Sequence, residues 1–488
     1  MAPTVVSRTV ALGALTAAGQ LLIVGSLPTY SVLFDPAAYG EYLVFVGAVG
    51  VLAVFAGVRY DSAIVLPRSS RLAAALFALV MLIATLVALL TAGATLLIPL
   101  LAPGGHSWIN LERHFGYGLA AATLLSALQR SLASWCVRGS RFIVIGTAQF
   151  VFCLITVAAQ LSFVAVMGQR PALIWGYVCA LGCQTGVLAL SARSPGRRVG
   201  RTIARWTEII IAARRYRRFP IYMVGYALAS SIRDRLVQIM LGVGAGADVV
   251  GRFGLAYRVM FAPNSLIYTA VSPVFFATAS RGTKAAVGRF AAGLVELTFV
   301  LLLVPYMAFA IEAPALADGL LSEKWHGTAP YLQALCAPAL LLAATCWLDR
   351  SFDSFHRQNV AFRLEASFTV LSVCLIAVVS RLVPPVAVAW MYGIAATIYY
   401  WIYFLVTFVA CGFPMAEFRR VCANAALCAA VALGLCLLIH RLPGLPVRCA
   451  GYLVLTIMLL AGWMRFRHGL DTMRLVLNSR VGLGNTGQ

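Results

Sequence analysis

The sequence predicts an all-α polytopic membrane protein of about fourteen transmembrane helices, and three observations carry that prediction. Hydrophobic residues make up 61% of the 488 and charged residues only 11%, with a mean hydropathy of +0.90, whereas about a quarter of a soluble domain is charged. Apolar runs of about 20 residues, the length that crosses about 30 Å of hydrocarbon, recur along the whole chain. The 38 Lys+Arg, set against 16 Asp+Glu, collect in the short segments between those runs, where the positive-inside rule expects them. The formal charge of +22 is therefore topological, and no nucleic-acid partner is expected.

The first run starts near Val10 and continues through Pro28 toward Leu33, so it reads as a retained span and not as a cleaved signal. Further runs begin near Tyr42, Leu72, Phe115, Phe142 and Pro171. A hydrophilic segment from Ser191 to Arg218 follows, with nine arginines and the single acid Glu208. Within it Val199, Ile203, Trp206 and Ile210 recur at helical spacing, with Arg197, Arg201 and Arg205 on other faces. That pattern suits a helix lying on an anionic leaflet, and equally a solvated basic linker that sets topology. The later runs begin near Phe219, Phe253, Phe290, Tyr331, Leu364, Val386, Val421 and Cys449. The expected divisions are a six-span part at 1–191, a basic linker at 192–218, a second six-span part at 219–411, two added spans at 412–464 and a tail at 465–488. The Gly-rich end of that tail reads as mostly disordered.

Starting the chain in the cytoplasm places most of the cations on the inner side, so both termini are expected there. The longest outward segment, Glu312 to Pro330, is too short to be a domain. Glycosyltransferases, ligases and polymerases that work on the outer face need larger external loops, so such an enzyme is disfavoured. The twelve cysteines include no CxxC, which signals neither a zinc site nor a disulfide framework. There is no nucleotide-binding loop, and no cofactor or metal is expected.

The informative residues are charges inside apolar runs. An arginine at a helix centre costs roughly 3 kcal/mol unless it faces protein or water. Arg59, Arg130, Arg233, Arg235 and Arg258 lie within runs, against the acids Asp61, Asp234 and Glu296. Thr123, Ser126, Arg130 and Ser134 share one helix face, as do Tyr222, Tyr226, Ser230 and Arg233; Arg258, Ser265, Thr269 and Ser272 recur along the eighth run, and Thr9, Gly13, Thr16 and Gln20 along the first. Polar stripes on four helices suggest a shared aqueous cavity, since lipid cannot satisfy them. The excess of cations favours an anionic cargo. Arginine in particular fits phosphate, its planar fork donating two hydrogen bonds. Two plainer readings stand beside this one: Asp234 pairs with Arg130 or Arg258 and clamps the bundle, and Asp61 pairs with Arg59. The acids Asp61, Asp234 and Glu296 could alternatively bind a coupling proton or sodium ion. The aromatic run Tyr392, Tyr399, Tyr400, Trp401 and Tyr403 could stack on sugar rings, although interfacial belts are the commoner use.

The stretch LFDPAAYGEYLVFVGAVGVLAVFAGVRYDSAIVLP, Leu33 to Pro67, contains P-x-x-Y-G and R-Y-x-x-A-I-x-L-P. It resembles the start of Wzx-type lipopolysaccharide and exopolysaccharide flippases, of the multidrug/oligosaccharidyl-lipid/polysaccharide exporter superfamily. SPVFFATASR, Ser272 to Arg281, is similar to that family's end of span eight. LLSEKWHGTAPYLQALCAPALL, Leu320 to Leu341, resembles its external turn, with Gly327 and Thr328 varying the middle. The resemblance implies two six-helix bundles around a central cavity, related by a pseudo-twofold axis, plus two C-terminal helices. It further implies transport of undecaprenyl-diphosphate-linked oligosaccharide from the cytoplasmic to the periplasmic leaflet of a Gram-negative inner membrane, by alternating access. A polysaccharide polymerase and a chain-length regulator would be the protein partners. The alternatives are a cation or drug antiporter of the same fold, whose cavity should carry acids, and a membrane polymerase or ligase.

Overall fold

The computed structural model describes residues 5–67, 69–101, 113–139, 141–191, 206–217, 220, 224–225, 228, 246–279, 282–379 and 382–465. Eleven helices among them are long and apolar enough to cross a membrane. Two further long helices, Arg113–Arg138 and Ala247–Ala279, stand where the fourth and eighth spans were expected. Their in-span arginines and hydroxyls make them less apolar than the rest. The expected seventh span, from Phe219, lies largely outside the described residues, and with it Arg233, Asp234 and Arg235. The all-α membrane architecture is thus present. The chain forms two compact units, one over Ser7–Gly251 and the other over the remainder.

In the first unit the opening span is two helices, Val5–Gly25 and Leu27–Leu33, the second restarted by Pro28 at its first turn. Pro36 likewise starts helix Pro36–Gly57. That helix packs on Ser70–Leu101 and Arg113–Arg138, while Phe142–Met167 packs on Gln169–Ser191. The P-x-x-Y-G motif has a steric reason here. A Cβ on Gly40 would overlap the Ala247 carbonyl oxygen, and one on Gly251 would overlap the Pro36 carbonyl oxygen, so two backbones meet through reciprocal glycines. Tyr39 is buried beside them. The preceding Asp35 N–H donates to Gln169 Oε1 at 2.9 Å, and Glu41 pairs with Arg170 at 3.0 Å.

In the second unit helix Lys284–Leu320 is 37 residues long, and the Thr283 hydroxyl accepts from the Ala286 N–H at its start. The outward segment expected from Glu312 is therefore shorter than the sequence suggested, since helix continues to Leu320. The turn that remains contains the 3₁₀ segment Glu323–Trp325, with Trp325 buried and Arg252 donating to the Lys324 and His326 carbonyls. Proline and glycine mark Pro385–Cys411 at both ends: Pro385 opens it, and Gly412 at φ 71° closes it. Three of the five aromatic residues singled out on this helix pack inward, while Trp401 and Tyr403 are partly exposed. Tyr392, Tyr399 and Tyr400 are buried, Tyr399 stacks on Phe368 at 3.9 Å, and its hydroxyl donates to Glu365 at 2.7 Å. These rings join neighbouring helices and are available neither to a sugar nor to an interfacial belt.

Two buried carboxylates fasten the last two helices, Met415–His440 and Leu445–Arg465, to Lys284–Leu320. Glu296 accepts from Asn424 and pairs with Arg420 at 3.7 Å, and Arg420 also pairs with Glu417 at 2.5 Å. Glu312, only 2% exposed, meets the Tyr452 hydroxyl at 2.8 Å, Arg448 at 2.8 Å and His440 at 2.9 Å.

Gly40→Val and Gly251→Val should each lower stability by about 1–3 kcal/mol through overpacking. Gly13→Ala, with nothing within 4 Å of its added Cβ, should be near neutral; thermal unfolding of the purified protein measures all three. Glu312→Ala should cost about 3 kcal/mol, toward the low end for a broken buried pair because His440 is half-exposed. Trypsin cleavage after Arg441, in the turn between the last two helices, should then accelerate.

Candidate functional site

The site is built at a backbone break in the first unit. Helix Pro36–Gly57 ends where Val58 and Arg59 both take left-handed conformations, at φ 45° and 59°, and the short helix Tyr60–Ala63 begins immediately after. A β-branched residue in that region costs on the order of 1–3 kcal/mol, which the surroundings must supply. Those surroundings are an apolar cluster in which Tyr60, Ala63 and Ile64 pack with Ala73, Leu76 and Val80. The break folds the chain back so that the Asp61 carboxylate lies over Gly57, where an added Cβ would sit 3.4 Å from Asp61 Oδ1. The R-Y-x-x-A-I segment is therefore an elbow that carries Arg59 and Asp61 and lays the Asp61 carboxylate against the end of the preceding helix.

Helix Arg113–Arg138 brings the second cation. Thr123 and Ser126 are buried on the face that also carries Arg130, so the stripe read from the spacing exists. Arg130 is partly buried and within electrostatic reach of Asp61, Arg59 and Tyr177. Arg130, distant in sequence from Arg59 and Asp61, thus converges with them, and among the described residues this gives two positive charges to one negative.

Their hydrogen bonding sets Arg59 and Asp61 apart from the buried glutamine and hydroxyl groups of the unit. Gln160 accepts from the Tyr30 hydroxyl at 2.5 Å and donates to the Leu173 carbonyl at 2.8 Å. Thr123, Ser131, Thr156 and Thr185 each donate to a carbonyl one turn back. By contrast Arg59 Nε and Asp61 Oδ1 are buried without a hydrogen-bond partner among the described residues, although the sequence allowed the two residues to satisfy each other. Buried polar atoms without partners cost about 1–3 kcal/mol each. An anionic oxygen placed between the two guanidinium groups would relieve the one on Arg59 and balance the local charge.

Other residues singled out from the sequence lie elsewhere. Arg258 is partly buried on Ala247–Ala279, and Glu296 is engaged by Arg420 and Asn424 in the second unit. On Ala247–Ala279 the hydroxyls of Ser265 and Thr269 bond back to their own helix. The face turned into the unit is one residue over, at Asn264, Tyr268 and Ser272. Arg350 donates to Ser272 Oγ at 3.0 Å and to the Tyr268 hydroxyl at 2.7 Å, and it pairs with Asp353 at 3.2 Å; Tyr268 donates to Asp349 at 3.0 Å. Sequence reading missed this cluster, which sits where a 3₁₀ turn, Cys346–Leu348, interrupts the span. A signal was available: Arg-Ser-x-x-Ser occurs at Arg130–Ser134 and again at Arg350–Ser354, in the fourth expected span of each six. Arg350 is satisfied by its own unit.

The sequence family described as polysaccharide biosynthesis protein matches residues 33–330. No curated protein matches the chain. Among solved structures, the chain is similar to a lipid II flippase MurJ in an inward closed conformation, with a TM-score of 0.70 at 12% identity over 94% of this chain and 98% of that one. It is also similar to an inward-facing MATE multidrug resistance transporter of the MOP superfamily, at a TM-score of 0.57, 14% identity and 86% and 99% coverage. A Vibrio cholerae MATE transporter, a VcmN mutant, aligns at 0.52 with 17% identity over 83% and 98%. At these identities the structural likeness establishes fold, and the sequence match, covering more than half of the chain, establishes family. The chain is a member of the polysaccharide biosynthesis protein family, a multi-pass membrane protein on the transporter fold shared with MurJ and the MATE proteins.

Proposed function

We propose that this protein is a flippase for undecaprenyl-diphosphate-linked oligosaccharide, moving it from the cytoplasmic to the periplasmic leaflet of a bacterial inner membrane for exopolysaccharide or lipopolysaccharide synthesis. The observation that carries the reading is the pair of cations Arg59 and Arg130 around the buried Asp61, with Arg59 Nε and Asp61 Oδ1 unpartnered. A diphosphate carries the anionic oxygens that such a pair lacks, and guanidinium holds its charge at any working pH. Membership of a polysaccharide biosynthesis family supports the glycan, and the structural likeness to a lipid II flippase supports a lipid-linked cargo.

In this mechanism the diphosphate enters between Arg59 and Arg130, displacing water from the elbow, while the glycan occupies the aqueous path and the prenyl chain stays in lipid. The unit then exchanges access between leaflets. Net binding must stay modest, because a cargo held too tightly in one state is not released in the other. Asp61 lies close enough to Arg130 to take over its charge when the cargo leaves, and it is the group that a coupling proton or sodium ion would occupy. Glu296, already held by Arg420 and Asn424, has the geometry of a helix fastener. Arg233, Asp234, Arg235 and Arg258 remain candidates for later positions along the path. Both termini would lie in the cytoplasm.

Arg59→Ala and Arg130→Ala should each reduce transport by at least about tenfold, the loss of one charge-assisted contact of about 1.5–3 kcal/mol, with insertion and protein level unchanged. The measurement is made in spheroplasts of a deletion strain carrying each variant, where a membrane-impermeant glycosidase reports which leaflet holds the lipid-linked repeat unit. Protected, cytoplasmic accumulation supports the assignment. Normal delivery by both variants removes the site, and normal delivery in the deletion strain itself removes the flippase reading. Asp61→Asn should retain binding of cargo and slow its turnover, shown by single-turnover delivery outpacing the steady-state rate.

A further inference from the structure

We infer that the helix Trp206–Arg215 is an anionic-lipid-binding element, seated at the membrane surface and fastened to the elbow that carries Arg59 and Asp61. The inference is independent of what the protein transports. It rests on how the ten residues of this helix are distributed around its axis.

One face is already used. Ile209 and Ala212 are buried and pack, with Ala213 and Tyr216, against Tyr60, Ala63, Ala73, Leu76 and Val80. The Tyr60 hydroxyl donates to the Ala213 carbonyl at 3.1 Å, satisfying one of the four carbonyls that a helix C-terminus leaves open. Ala73 to Val80 are the first turns of the spanning segment Ser70–Thr95. A helix packed against the entry of a spanning helix lies at the level of the lipid headgroups.

A second face is exposed among the described residues. At 100° per residue, Trp206 and Ile210 fall on one flank, about a quarter turn from Ile209 and Ala212. They are 70% and 48% exposed. Arg214 lies one turn further along that flank with Arg217 beyond it, and both are exposed together with Arg215. The sequence had grouped Trp206 with Ile210 correctly, but that stripe is the exposed one; the docking face is Ile209 with Ala212. The result is a helix with two apolar surfaces at roughly right angles, one on protein and one bordered by arginines. An interfacial tryptophan, an isoleucine and three arginines match the acyl boundary and phosphate layer of an anionic leaflet. The described residues Trp206 to Arg217 carry three exposed arginines against the single acid Glu208, a charge that complements the same surface.

Because Tyr60 sits between Arg59 and Asp61 in the chain, lipid that holds this helix down also holds the elbow in place. The test uses the full-length protein in nanodiscs of phosphatidylcholine alone or of phosphatidylcholine mixed with phosphatidylglycerol, with hydrogen exchange followed over Trp206–Arg215. Each arginine at an anionic surface contributes about fivefold to binding, so three contribute on the order of a hundredfold. Exchange in the wild type should slow by at least about tenfold in the anionic discs, and the difference should vanish in the triple variant Arg214→Gln, Arg215→Gln, Arg217→Gln. Amides of Ser70–Leu101 should stay equally protected throughout, which shows that the variant is folded. Equal exchange of wild-type protein in the two lipids overturns the inference, and so does a slowing that survives in the triple variant. Trp206→Ala, which keeps the charge, should weaken protection in both lipids while preserving the difference between them.

Discussion

A charge inside hydrocarbon must find a partner, and much of this protein's architecture follows from that demand. Unpaired backbone groups are excluded by folding the spans as helices. Charged side chains within the spans are costly enough that each needs a local reason. In the second unit that reason is attachment. Glu296 with Arg420, Glu312 with Arg448 and His440, and Arg350 with Asp353, Asp349 and Tyr268 join helices that lipid alone would not hold together. The two added helices are tied to Lys284–Leu320 in this way, since apolar faces gain nothing by leaving lipid for each other.

Arg59, Asp61 and Arg130 meet the same demand only in part. Among the described residues they sit together with one more cation than anion, and Arg59 Nε and Asp61 Oδ1 are buried without a hydrogen-bond partner. The strained pair Val58 and Arg59 makes the arrangement possible, because an uninterrupted helix would carry Arg59 and Asp61 to different faces. Strain and missing hydrogen bonds at one place mark a site better than either does alone. The contrast with Arg350 sharpens this. An Arg-Ser-x-x-Ser frame occurs in both units; Arg350 has carboxylate and hydroxyl partners within its own unit, whereas Arg130 lies within electrostatic reach of both Asp61 and Arg59.

Fold and chemistry make separate contributions to the functional argument. The fold is shared with a lipid flippase and with multidrug transporters, so it does not choose among cargoes. The choice rests on side chains: a cationic elbow suits a diphosphate, whereas an exporter of organic cations should present acids. The basic helix Trp206–Arg215 adds a link between the elbow and the membrane surface, through Tyr60 and Ala213.

The all-α membrane class, nearly every span and the presence of Arg59, Asp61 and Arg130 inside apolar runs were legible in the sequence, because a run of apolar residues and a charge inside it are local facts. Helical periodicity also placed Thr123, Ser126 and Arg130 on one face correctly. What the sequence left open was pairing. It allowed Asp61 to neutralise Arg59, left Arg350 unnoticed at the end of its span, and set an outward loop where helix continues past Glu312 to Leu320. It grouped Ser265, Thr269 and Ser272 on one helix, and of these only Ser272 is buried, where it meets Arg350. Periodicity determines which residues share a face, but the rotation of a helix about its axis depends on the neighbours it packs against. The partner of a charge is likewise chosen by distance across helices. Those distances exist only once the chain has folded, so tertiary structure alone decided which charges meet and which helices they fasten.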